Sequence, residues 1–242
     1  MKILAIDTAT ECCSVALAEG DGVAVDQLTK VTSNEHSKLA LGMVRELLEK
    51  HDMKLSALDA IAVDIGPGSF TGLRIGIGMA QGLAYGAGLP AFGISSLHAL
   101  AAACPDGVSL TAIDARMKQV YWGIFEQREG AARQLAGPYV NSPLEVAPVL
   151  ADLAQTDRLS GLPPDAPAFC IGSGWDQYRD QLPAGFNGIS FSLLQKRMPQ
   201  ALQIAKLASG TPASAFYSPM HLAASYVRNE VATPPDTVQQ ST

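Results

Sequence analysis

The tripeptide Ala5-Ile6-Asp7 returns as Ala112-Ile113-Asp114. Each copy closes a short apolar run suited to a buried strand, and each is followed by a polar turn and another strand-like segment. In the first copy Lys2 to Ile6 leads through Asp7-Thr8-Ala9-Thr10 into Cys13 to Glu19; in the second, the following strand runs from Gln119 to Glu126. Asp21-Gly22 is a two-residue hairpin signal that adds a third strand, Val23 to Thr29. A repeated meander of this kind implies two similar α/β units within one chain.

Between the copies the apolar period changes from two to about 3.6. Leu39, Met43 and Leu47 fall at i, i+4 and i+8, with Ala40, Val44 and Leu48 beside them, predicting an amphipathic helix capped by Ser33 or Asn34. Asp59 to Asp64 reads as a strand, broken by Gly66-Pro67-Gly68-Ser69-Phe70-Thr71-Gly72. A second helix follows from about Leu73 to Gly86. Its interior glycines each cost about 1 kcal/mol relative to alanine, so another backbone has to come close enough to offset them. Gly72/Gly76 and Gly78/Gly82/Gly86 are each spaced by four and line helix faces. A strand at Pro90 to Ile94 and a helix at Ser95 to Ala103 complete the first half, with a boundary near Cys104-Pro105-Asp106-Gly107. The expected organisation is a first subdomain over 1–106, a second over 107–232, and a mobile tail over 233–242. In the second half Pro143 to Leu153 reads as helix, Ser160 to Pro167 as a Pro-rich loop, Ala168 to Gly172 as strand, and Pro199 to Ser209 as a helix free to pack back on the first subdomain.

Charge and cysteine usage exclude several functions. Seventeen Lys and Arg against 23 Asp and Glu give a net charge of −6, unsuited to a chain that neutralises many phosphates itself. Cys12, Cys13, Cys104 and Cys170 form no CxxC pair, and His36, His51, His98 and His221 show no i, i+4 pairing, so no metal site is expected. The apolar run Ile3 to Ile6 stops at Asp7, and no stretch approaches the ~20 apolar residues of a membrane span. A cytoplasmic protein is expected, with no membrane partner.

Two segments carry candidate chemistry, and each has two readings. Gly66 to Gly72 joins a strand to a helix N-terminus; Gly66, Gly68, Ser69 and Thr71 either present N–H groups to an anion or simply make a tight turn. It lacks the Gly-Lys-Ser/Thr ending of a Walker A loop. Asp7, Thr8 and Thr10 either face a nucleotide or cap their own turn, and Asp114 shares the ambiguity. No G-x-S-x-G elbow surrounds any serine. Tyr121, Trp122 and Phe125 share one strand and are expected to pack in or between the subdomains.

The segments KILAIDTATECCSVAL, GPGSFTGLRIGIGMAQGLA, AIDARMKQVYWG and YVRNEVA together resemble the TsaB (YeaZ) family. The resemblance spans most of the chain, is strongest over Gly66 to Ala84, and is loose from about Gln127 to Pro199. It implies an ASKHA fold, the actin-like and sugar-kinase-like architecture of two duplicated α/β subdomains, each with a mixed sheet flanked by helices. It also implies a non-catalytic subunit that pairs with the catalytic TsaD, and with the ATPase TsaE, for threonylcarbamoyl transfer to adenosine 37 of tRNAs reading codons that begin with A. tRNA would be met only through the complex. A second copy of the chain is the other partner that the family implies. The chain would bring no cofactor of its own, while a nucleotide at the joint with TsaD stays open.

The resemblance places the partner surface on the two first-half helices, at His36, Leu39, Met43, Leu47, Leu73, Gly76, Met79, Gly82, Leu83 and Tyr85. Where TsaD carries an HxxxH metal motif, Ser96 and Leu100 stand at the ligand positions and His98 is out of phase, so no catalytic residue is expected. The alternatives are an ASKHA-type phosphotransferase and a glycoprotease-like hydrolase.

Overall fold

The computed structural model describes residues 1–227 except 21, 22, 33, 34, 157, 158, 160, 161, 163–165, 187, 196 and 197. The Asp21-Gly22 turn, most of the Pro-rich loop, Arg228 to Ala232 of the YVRNEVA motif and the tail over 233–242 lie outside the described residues.

Two five-stranded sheets share one topology. In the first, β1 (Ile3–Asp7), β2 (Cys12–Glu19) and β3 (Val23–Val31) form an antiparallel meander, and β4 (Ala60–Gly66) and β5 (Ala91–Ser95) extend it in parallel, in the order β3-β2-β1-β4-β5. In the second, β6 (Gly107–Asp114), β7 (Val120–Arg128) and β8 (Ala131–Asn141) repeat the meander. There β9 (Ala168–Ile171) and β12 (Ser192–Leu193) take the parallel places, in the order β12-β9-β6-β7-β8. The two-strand ladder β10 (Gly185–Phe186) and β11 (Ile189–Ser190) stands apart. Asp7 and Asp114 therefore end equivalent central strands. This is the duplicated α/β architecture of the ASKHA fold.

The pleat of β1 divides its apolar residues between two cores. Leu4 and Ile6 join Val15, Leu17 and Val63 under α1 (His36–Lys50) and α2 (Phe70–Ala87). Ile3 and Ala5 face the opposite side, where Ala16 and Ala18 meet Ala201, Ile204, Ala205 and Ala208 of α6 (Ala201–Ser209). Alanine against alanine lets that helix approach the first sheet closely, although it follows the second sheet in sequence. α3 (Ser96–Ala101) lies between the sheets, with Leu97 and Leu100 packed on Ile113, Phe125 and Ile171. α4 (Pro143–Leu153) and the short α5 (Gly174–Tyr178) cover the other face of the second sheet, where Trp122 is fully buried and its indole N–H donates to Asn141 Oδ1 at 2.9 Å.

The structure differs from the sequence reading at two places. α1 is entered through Glu35, which makes no side-chain cap bond, and the expected caps Ser33 and Asn34 lie outside the described residues. α2 starts at Phe70 rather than Leu73, because Ser69 Oγ accepts the Gly72 N–H at 3.2 Å and caps the helix inside the glycine-rich segment. The strand β8 has no counterpart in the reading; Gly137-Pro138 and two register shifts against β7 interrupt its alternation.

Candidate functional site

The apolar stripe of α1 and the glycines of α2 form one structure with two sides. Leu47 is fully buried, Met43 is 9% exposed with its Sδ 3.9 Å from Cys13 Sγ, and Leu73 is 2% exposed, so all three belong to the core beneath the helices. His36 is also interior: its Nε2 meets the Thr10 carbonyl at 2.8 Å, tying the start of α1 to the β1–β2 turn. Gly72 and Gly76 face inward too. A Cβ on Gly72 would lie 2.1 Å from the Thr8 carbonyl oxygen, and one on Gly76 would lie 2.5 Å from Thr8 Oγ1. The backbone approach expected of the glycines is therefore internal at this pair, where the β1–β2 turn presses on α2.

The other glycine face is open. A Cβ added at Gly78, Gly82 or Gly86 would meet nothing within 4 Å. Beside Gly78 and Gly82, Ser37 and Leu41 of α1 and Ile75, Met79 and Leu83 of α2 line a shallow apolar hollow of about 450 Å³. Leu41 is 46% exposed and Tyr85 74%. Of the ten residues assigned to the partner surface, Leu39, Met79, Gly82, Leu83 and Tyr85 reach solvent at least in part, whereas His36, Met43, Leu47, Leu73 and Gly76 do not. Leu41 and Ile75, which also line the hollow, were not among them, and Gly78 was read as part of the same glycine face. The signal for Leu41 was its phase: an apolar residue about 200° around the helix from Leu39, on the polar side.

The second candidate is the cleft between the subdomains, about 840 Å³, reached by Thr10, Gly68, Ser69 and Thr71 from the first half and by Asp114, Arg116, Ser173, Asp176 and Gln177 from the second. Asp7, Thr8 and Gly66 lie beneath its floor. Thr8 Oγ1 donates to the Gly72 carbonyl at 2.7 Å, Thr10 Oγ1 accepts the Cys12 N–H at 3.2 Å, and Asp7 Oδ1 accepts the Ala9 N–H at 2.9 Å. Two of the loop's own donors also turn inward: Gly66 N–H goes to Asp64 Oδ1 at 2.7 Å and Ser69 N–H to the Ala9 carbonyl at 2.7 Å. With Gly72 N–H on Ser69 Oγ, three of the segment's N–H groups serve the turn itself. Across the cleft, Arg116 bridges Glu11 at 2.5 Å and Asp114 at 3.3 Å, joining the two halves. Three carboxylates against one engaged guanidinium make these walls a poor match for a polyphosphate.

The positions where TsaD would carry metal ligands are occupied by other work. Ser96, fully buried, donates its hydroxyl to Asp64 Oδ1 at 2.6 Å, and Leu100 is core. His98 donates from Nε2 to the Ala132 carbonyl at 2.5 Å, and burial lowers its pKa, which keeps the imidazole neutral. Among the described residues no group of three or more His, Cys, Asp or Glu is placed to hold a metal ion, and no helix is long and apolar enough to cross a membrane.

Comparison with known proteins identifies the family. A family model described as "TsaD: tRNA N6-adenosine threonylcarbamoyltransferase" matches residues 28–235. The Haemophilus influenzae protein called "tRNA threonylcarbamoyladenosine biosynthesis protein TsaB" is 34% identical over 96% of this chain and 95% of its own length. The Escherichia coli protein of the same name is 48% identical over 53% of this chain, and the match spans 57% of that relative's length. The solved structure "YeaZ from Pseudomonas aeruginosa" superposes with a TM-score of 0.78 at 34% identity, covering 93% of this chain and 99% of that one. With one fold shared along nearly the whole length and a third of its residues identical, the chain belongs to the TsaB (YeaZ) family.

Proposed function

We propose that this chain acts in threonylcarbamoyladenosine biosynthesis as a non-catalytic docking subunit, pairing through α1 and α2 with a TsaD-type catalytic subunit that TsaE then joins. The observation that carries the reading is the open Gly78/Gly82/Gly86 face beside the apolar hollow of Leu41, Ile75, Met79 and Leu83. Small residues in a helix face let a partner helix approach closely, and the flanking apolar side chains supply the burial that drives association. The names of the relatives supply the process, and the acidic net charge leaves tRNA contacts to the partner. A second copy of the chain would compete for the same surface.

Ser96 and Leu100 are committed to a buried hydrogen bond and to the core, which favours a subunit without transfer chemistry of its own. The hydrolase alternative lacks an activated nucleophile at the loop, because Ser69 Oγ accepts the Gly72 N–H as a helix cap. The phosphotransferase alternative draws on the cleft, and it predicts heat when ATP is titrated into the isolated chain. Size-exclusion chromatography of the chain mixed with a TsaD-type subunit tests the docking reading. A single earlier-eluting peak containing both is expected; two independent peaks would contradict it.

A further inference from the structure

Asp7 closes β1, and Asp64 stands next to it on β4, one step past the Ile6–Val63 pair of the parallel register. Both side chains are sealed, at 0% and 1% exposure. Asp7 Oδ1 accepts the Ala9 N–H, while Asp64 Oδ1 accepts the Gly66 N–H and the Ser96 hydroxyl. The Oδ2 atom of each has no hydrogen-bond partner, and the two carboxyls lie close enough to interact directly. An ionised carboxylate has only acceptors, so two neighbouring carboxyls can bond each other only with a proton on one of them. Two adjoining charges in a dry site are also strongly disfavoured. The other titratable groups facing the pair are the Cys12 and Cys13 thiols, pushed up to about 12 and about 11 chiefly by burial, and therefore neutral. Among the described residues, no lysine, arginine or histidine offsets the charge of either aspartate.

The second half lacks this pair. There β9 ends at Ile171, the Asp114 N–H donates to Ser173 Oγ at 3.2 Å, and the Asp114 carboxylate binds Arg116 in the cleft. The first-half aspartates reach two loops at once. Asp7 holds Ala9, whose carbonyl accepts the Ser69 N–H, and Asp64 holds Gly66, where the glycine-rich loop begins.

We propose that Asp7 and Asp64 share one proton, and that this proton pins the β1–β2 turn to the loop that starts α2. Asp7 is the donor, since Asp64 already accepts two other donors and carries charge more readily. Burial and the neighbouring Asp64 hold Asp7 well above the usual carboxylate range, and burial raises Asp64 to about 7. Both folded-state values lie above the unfolded ones. The stabilisation is therefore complete in acid and drains away as pH rises from about 4 through about 7, with Asp7 extending the loss higher.

Asp7→Asn keeps an oxygen for Ala9 and offers an amide N–H to Asp64 without a titrating proton. Urea unfolding of both proteins between about pH 5.5 and 8 reads the difference. The wild-type unfolding constant should rise about tenfold per pH unit relative to the variant. Parallel profiles would overturn the proposal. The wild-type protein gives a readout that does not depend on the variant folding: infrared spectra in heavy water near neutral pH should show a carboxylic-acid carbonyl band, when ordinary Asp and Glu are ionised. Absence of that band would also overturn it.

Discussion

Gly72 and Gly82 sit ten residues apart on one helix, are the same residue type, and do opposite things. At Gly72 a methyl group would collide with the Thr8 carbonyl, which belongs to backbone and cannot rotate away. Gly72→Ala is therefore expected to lower stability by about 1–3 kcal/mol, as overpacking does. At Gly82 the same methyl meets open space, and only the helix propensity of glycine is relieved. Gly82→Ala should raise stability by up to about 1 kcal/mol; thermal or urea unfolding of the two variants measures both signs. Spacing by four made the glycine faces legible in the sequence. Which face was buried depends on the β1–β2 turn, 64 positions away from Gly72 at the Thr8–Gly72 bond, and no local pattern encodes that.

At the scale of the element, an amphipathic stripe identifies the inward face of a helix more surely than a partner surface. Met43 and Leu47 repeat every four residues because they fill the core under α1, so a charge there destroys the fold before it can report on binding. Met43→Glu is expected to leave little folded protein, seen as lost near-ultraviolet dichroism. Leu41→Glu should keep the wild-type melting temperature within a few degrees and weaken binding to a TsaD-type subunit by about 2 kcal/mol, roughly thirtyfold, in calorimetry. Strands β1 to β7 and the four longest helices were readable from periodicity and turn residues. β8 was not, because its bulges and Gly137-Pro138 break the alternation, and it becomes a strand only by pairing with β7. The two-residue strands β10 to β12 are too short to carry a period at all.

At the scale of the molecule, the Ala-Ile-Asp repeat located two sheets of identical strand order, but duplication of the frame did not duplicate the chemistry. Asp114 faces the cleft and pairs with Arg116, whereas Asp7 is buried against Asp64, so the two aspartates that looked equivalent in sequence occupy different environments. The cleft has walls rich in carboxylate, and the N–H groups of Gly66, Ser69 and Gly72 turn inward. ATP titrated into the isolated chain should give no binding heat at micromolar concentrations, and a saturable isotherm would favour the phosphotransferase alternative. The outer face of α1 and α2 reaches solvent through Leu41, Gly82, Leu83 and Tyr85. The direct test is reconstitution of tRNA threonylcarbamoylation from purified TsaD-type, TsaE-type and TsaB-type subunits with the activated threonylcarbamoyl donor. The modified adenosine should form with the wild-type chain, fall at least about tenfold with Gly82→Arg although that variant is folded, and vanish when the chain is omitted. Undiminished product without the chain, or product from the chain in the absence of the TsaD-type subunit, would contradict a non-catalytic docking role.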